Sequence, residues 1–150
     1  MTATDVFHIL AKRFCLPEWA LLYEVRLGTG YVRPWRNENF EQRMDAFAIN
    51  CYPSKDLVRI AFEIKVSRSD YLREIRNPQK RQGALELSNQ FYIVAPPGIV
   101  RDDLPDDCGY IEVTDKARVK IPAPTRDIPD PPMRFVASLV RHALQVKQTA

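Results

Sequence analysis

The chain has 150 residues, 45% hydrophobic and 10% aromatic, enough apolar material to close one ordinary core without disulfide or metal staples and too much for a disordered chain. Lysine and arginine number 22 against 19 aspartates and glutamates, a formal +3 that permits a polyanionic partner without demanding one. Three widely spaced cysteines, Cys15, Cys51 and Cys108, with only His8 and His142 besides, make neither a disulfide framework nor a structural zinc site. They are expected as buried, inert thiols in a cytoplasmic protein, since no signal-like or membrane-spanning segment is found and no membrane partner is implied.

Thr4 and Asp5 can cap a helix over 5–15, whose Val6, Ile9, Leu10 and Phe14 recur at helical spacing before Pro17 closes it. Residues 19–27 are apolar around a lone Glu24 and run into Gly28-Thr29-Gly30; helix and strand both remain open there. Residues 31–42 mix proline, asparagine and charge with aromatics and read as a surface loop, in which Tyr31 and Trp35 could stack on unpaired bases, although core packing is the commoner role for such a tryptophan. The run 43–49 is a short strand. After the turn-rich NCYPSKD, the residues Val58, Ile60, Phe62, Ile64 and Val66 alternate strictly with Arg59, Ala61, Glu63, Lys65 and Ser67, the clearest strand in the chain. A connection this short makes the two strands an antiparallel hairpin.

Ser67 followed by Asp70 has the shape of a capping box and opens a helical stretch that stops before Pro78; a second helical run spans 79–89. Phe91 to Ala95 is a continuous apolar run of strand length, and its helical approach predicts a crossover that leaves it parallel to an earlier strand and buried on both faces. Residues 109–114 and 117–121 form an edge hairpin. Five prolines among residues 122–132 predict a stiff extended connector rather than a packed element. In the last helix, 133–150, Val136, Leu139, Val140, Ala143 and Leu144 are expected on the buried face, against the same domain or against a partner chain, so that a homodimer or a protein partner through this helix is open.

The chemistry concentrates on the central hairpin. Glu63 and Lys65 are two apart on a strand and so share a face, and Asp45 on the neighbouring strand can reach Glu63 if the register allows. Two converging carboxylates are hard oxygen ligands of the kind Mg²⁺ takes when it also holds a phosphate, with Mn²⁺ as a substitute. A lysine beside them can orient an attacking water and neutralise phosphoryl charge. The tripeptide alone also fits a solvated ion pair on an exposed strand.

Met44-Asp45, an interval of 17 residues, and then Glu63-Ile64-Lys65 resemble the signature of the PD-(D/E)XK nuclease superfamily, with methionine at the nominal proline. Glu24, Arg43-x-Asp45, Glu63-Ile64-Lys65-x-Ser67 and Phe91-Tyr92-x-Val94-x-Pro96 look most like the MmcB-type DNA-repair proteins within it. The resemblance, which runs from Glu24 to about Thr114, implies an α/β fold with a restriction-endonuclease-like αβββαβ core, a mixed central sheet flanked by helices; the domain is expected over residues 1–121, followed by the 122–132 connector and the C-terminal helix. It places the first core strand within 22–34. It further implies that Asp45, Glu63 and the Ile64 carbonyl hold a divalent metal, that Lys65 acts in catalysis, and that Glu24 is a second acidic ligand or a water-mediated support. The implied protein is a magnesium-dependent hydrolase, a DNA nuclease of repair or processing.

Basic residues follow the motif at Arg68, Arg73, Arg76, Lys80 and Arg81. With Ser67, the residues Arg68, Arg73, Lys80 and Arg81 are expected to touch DNA phosphates, which gives salt-dependent binding with little sequence preference; a solvated helical face carrying mixed charges is the plainer reading. The resemblance also allows Gln79 or Lys80 to be sent back towards the metal. The alternatives are a catalytically silent DNA-binding module on the same fold, a nuclease acting on RNA, and an interaction protein working through the connector and last helix.

Overall fold

The computed structural model describes residues 1–27 and 43–149, with side chains to residue 145. The loop expected at 31–42, with Tyr31 and Trp35, and the Gly28-Thr29-Gly30 breaker lie outside the described residues. Helix α1 (Ala3–Arg13) is capped by Thr2, not by Thr4 or Asp5: the Thr2 side chain accepts from the Asp5 amide and the Asp5 carboxylate accepts from the Thr2 amide. Asp5 is thus the third helical residue of a reciprocal capping box, and the helix starts two positions earlier than expected. Strand β1 (Trp19–Arg26) resolves the open helix-or-strand question, and it starts before the 22–34 window.

Strands β2 (Arg43–Asn50) and β3 (Arg59–Ile64) form the expected antiparallel hairpin, and β1 lies antiparallel on the outer side of β2. The chain then crosses over through helix α2 (Arg68–Ile75), a 3-10 turn (Pro78–Arg81) and helix α3 (Gln82–Leu87) to strand β4 (Gln90–Ala95), parallel to β3. Strand β5 (Gly109–Val113) is parallel to β4 although its crossover contains no helix, and strand β6 (Ala117–Ile121) returns antiparallel at the edge. The result is a mixed α/β fold: one six-stranded sheet in sequential order β1 to β6, flanked by helices, with a C-terminal helix α4 (Met133–Thr149).

The sheet separates two hydrophobic layers. Val6, Leu10 and Phe14 of α1 pack with Ala48, Phe62, Tyr92 and Val94 on one face. Tyr71 of α2, Ala84 and Leu87 of α3, and Phe135 and Leu139 of α4 pack with Phe47, Ala61 and Ile93 on the other. Residues 91–95 are buried throughout, as the apolar run requires of a strand covered on both faces.

Three expectations are corrected. The proline-rich segment 122–132 is extended but also docked. The Ala123 amide donates to the Tyr92 hydroxyl at 3.1 Å, one Arg126 nitrogen donates to the carbonyls of Leu85 and Ser88 at 2.9 and 2.7 Å, and Arg59 donates to the Pro129 carbonyl at 2.9 Å. Gly109 makes room for it: a Cβ there would lie 2.5 Å from the Ala123 amide nitrogen and from the Tyr92 ring. Helix α4 buries Phe135 and Leu139, while Val136 is half-buried and Val140, Ala143 and Leu144 are exposed. The expected face is off by about one residue because Phe135, the largest apolar side chain of the helix, packs edge-on against Phe47 at 5.6 Å between ring centres, and aromatic burial of this size outweighs that of a valine. His142 follows on the same side, its Nε2 at 2.6 Å from the Tyr23 carbonyl oxygen. Finally, Cys15 and Cys51 are exposed and only Cys108 is buried.

Candidate functional site

The site forms where the β2–β3 ladder runs out. The last paired residues are Ala46 and Phe62, so one further step of the same register sets Asp45 across from Glu63. The two carboxyl groups come within hydrogen-bond reach of each other. Asp45 is held from the backbone: its Oδ2 accepts from the Ile64 N–H at 2.8 Å, replacing a ladder bond that the diverging strands no longer make.

Glu63 and Lys65 lie on one face, as strand alternation demands, opposite the buried Phe62 and Ile64. That face is not a solvated one, because Ala61 and Ile93 on the same side belong to the core under α2 and α4. Lys65 Nζ lies 3.5 Å from Glu63 Oε1, with the two side chains only 15% and 19% exposed. The Lys65 amide donates to the Val94 carbonyl at 2.9 Å, which tethers the residue to β4 after β3 has ended. Burial pushes the Glu63 carboxyl well above the usual carboxylate range, and the negative charges of Asp45 and Glu74 push it further; Lys65 pulls the other way and is outweighed.

Glu74 is the residue that sequence reasoning missed. It lies on α2, three positions after the fully buried Tyr71, and is 6% exposed. The signal was available in the helical period: Tyr71, Glu74 and Ile75 share a stripe, and an acid in that stripe is carried into the interior. The helix that delivers it begins at Ser67, whose Oγ accepts from the Asp70 amide at 3.2 Å.

Glu24 falls between the paired Tyr23–Ala46 and Val25–Met44, so the register sets it across from Asp45, on the far side from Glu63. Its φ of 54° is left-handed, a backbone that non-glycine residues adopt at a cost, and its side chain is exposed. Among the described residues no three His, Cys, Asp or Glu side chains converge closely enough to hold a metal by themselves. Asp45 and Glu63 nevertheless fit a hard dication. Both offer carboxylate oxygens at one point, and their mutual repulsion favours a cation placed between them. Two carboxylates with waters and phosphate oxygens are the usual complement of Mg²⁺.

The basic residues divide into two sets. Arg68 is half-buried and tied down, with one nitrogen donating to the Ile99 carbonyl at 2.7 Å, another paired with Asp103, and the guanidinium over the Tyr71 ring at 5.6 Å. Arg81 is 5% exposed and donates to Asp107 Oδ1 at 3.1 Å. Both act as anchors for the helix-free crossover 96–108. Arg73, Arg76 and Lys80 are exposed, with Arg73 at 3.4 Å from Asp70 on the same helix. Gln79 is exposed beside Lys80.

No helix among the described residues is long and apolar enough to cross a membrane. No family model matches the chain, and no curated protein does. In fold the chain is similar to a solved protein of unknown function from Silicibacter pomeroyi, with a TM-score of 0.67 at 17% identity, over 99% of this chain and 89% of that one; at that identity, the likeness is one of architecture.

Proposed function

We propose that the protein is a metal-dependent nuclease that hydrolyses DNA phosphodiester bonds, on a restriction-endonuclease-like core and in a repair or processing role like that of the MmcB-type proteins it resembles. The observation that carries this reading is the meeting of Asp45 and Glu63 with Lys65 at 3.5 Å from Glu63. In this reading Asp45, Glu63 and the Ile64 carbonyl hold Mg²⁺ or Mn²⁺, with Glu24 supporting through water. The bound ion would supply an activated water and charge stabilisation at the phosphoryl oxygens.

The chain's own groups do the rest. The Ile64 amide holds the Asp45 carboxylate in orientation, so that no side-chain ordering is needed when substrate arrives. Lys65 lines up the attacking water and offsets charge on the phosphate. Glu74 maintains the negative potential that favours a cation at Glu63. The exposed Arg73, Arg76 and Lys80 receive the backbone of the duplex without reading its bases.

The test is cleavage of linear, nicked and single-stranded DNA, with structured RNA alongside, in Mg²⁺ or Mn²⁺, beside Glu63→Ala and Lys65→Ala. Cleavage of DNA by the wild type that both substitutions abolish is expected. Binding without turnover would replace the nuclease by a silent binding module, and preferential cleavage of the RNA would replace the substrate.

A further inference from the structure

Helix α4 turns Phe135, Leu139 and His142 inward and leaves a second apolar line on its outer side. Met133, Ala137, Val140 and Leu144 follow one another at intervals of four, three and four residues. Met133, Val140 and Leu144 are 78%, 54% and 53% exposed, and Ala137 is exposed as well. That spacing is the seam of two-helix packing, with Ala143 exposed and Val136 half-buried along one edge of it. Beside the seam, one heptad apart, stand Arg134 and Arg141, both exposed. The helix contains no acidic residue.

These charges select the occupant. Antiparallel pairing of two copies, centred on the seam, sets Met133 opposite Leu144 and Ala137 opposite Val140. It also brings Arg134 of each copy alongside Arg141 of the other, a like-charge contact made twice beside a desolvated seam. A helix with the same apolar spacing and carboxylates at the flanking positions makes the opposite contact at both arginines. We infer that the outer seam of α4 docks an acidic amphipathic helix of a partner protein. This surface is separate from the Asp45–Glu63 site and does not depend on its reading.

The probes are two synthetic helical peptides of about three heptads, sharing a leucine seam and carrying either glutamate or lysine at the flanking positions. Each is titrated against the full chain by fluorescence anisotropy, at low and high salt. The glutamate peptide is expected to bind at least about tenfold more tightly than the lysine peptide and to weaken with salt. The double substitution Val140→Asp with Leu144→Asp, at positions exposed in the fold, should abolish binding while leaving the thermal unfolding curve in place. Arg134→Glu with Arg141→Glu should invert the preference between the peptides. Equal binding of the two peptides, no binding of either, or binding unchanged by the aspartates would overturn the inference. So would a dimer in sedimentation that the aspartates dissolve, or adsorption to phosphatidylserine vesicles in place of the peptide.

Discussion

Replacing Glu63 by glutamine isolates the electrostatics of the site in one measurement. The Glu63 carboxyl binds its proton more tightly in the folded chain than in the unfolded one, because of burial first and then the charges of Asp45 and Glu74. The sign of the consequence follows from linkage. Below the unfolded-state value, near pH 4.5, Glu63 is protonated in both states and contributes no pH dependence. As the pH rises towards the elevated folded-state value, the unfolded chain gives up the proton first, and stability falls. A carboxyl held well above its usual range therefore costs the fold stability at pH 8 that it does not cost at pH 4. A glutamine is neutral at every pH and can still donate to Asp45. The wild type and Glu63→Gln should therefore unfold at similar urea concentrations at pH 4. By pH 8 the variant should unfold at the higher urea concentration of the two, at an unchanged urea slope. Because every other titrating group is common to both proteins, their difference reports this site. Mg²⁺ supplies the second arm: a folded-state ligand at 100 times its Kd stabilises by about 2.7 kcal/mol, which should raise the wild type at pH 8 and leave Glu63→Gln nearly unmoved. Parallel stability curves for the two proteins would refute the buried acid pair, and an equal Mg²⁺ response in both would refute its role as a cation site.

Lys65→Met should reduce Mg²⁺-dependent cleavage by at least about 100-fold while changing stability by less than about 1 kcal/mol, read by single-turnover kinetics beside thermal melts. Asp45→Ala orphans the Ile64 amide and should destabilise by about 1–3 kcal/mol; Asp45→Asn keeps the acceptor and the stability but should lose cleavage. Arg73→Ala and Lys80→Ala should each lower the salt slope of DNA binding by about 0.9, whereas Asp107→Ala, which leaves the buried Arg81 guanidinium without its carboxylate partner, should cost about 3–5 kcal/mol of stability. Phe135→Ala should cost about 3–5 kcal/mol by urea unfolding, since α4 closes one face of the core.

The fold was legible where burial is one-sided or complete. Strand β4 is apolar throughout because the sheet is covered on both faces at its centre; β3 alternates in sequence although it is buried at all but Glu63, since Arg59 is buried on its polar side as well. Strand β1 showed neither pattern, and the structure gives the reason: most of its residues are half-buried, with Tyr23 stacked on Phe7 of α1 at 4.4 Å on one side and α4 along the other. The α4 face was ambiguous because apolar residues surround that helix, and choosing among them needs the position of Phe47, which no local pattern supplies. The docking of 122–132 was invisible for a related reason: its partners Tyr92, Asn89 and Leu85 meet it only after the sheet has formed.

The candidate site was legible to the extent that a strand period and a short hairpin determine it. Those two rules bring Asp45, Glu63 and Lys65 together, but they do not count the charges around them. Glu63 faces two like charges, Asp45 and Glu74, and one opposite charge, Lys65; Arg81 is already committed to Asp107. With all four groups ionised the cluster carries −2. A single proton leaves −1, and one dication brings the sum to zero. Glu74 therefore changes what the sequence motif means physically. Without it, the Lys65 charge would offset all but one unit, and a proton would complete the balance. With it, one proton leaves the cluster at −1, and in the proposed reading it is this residual charge that a divalent ion would offset.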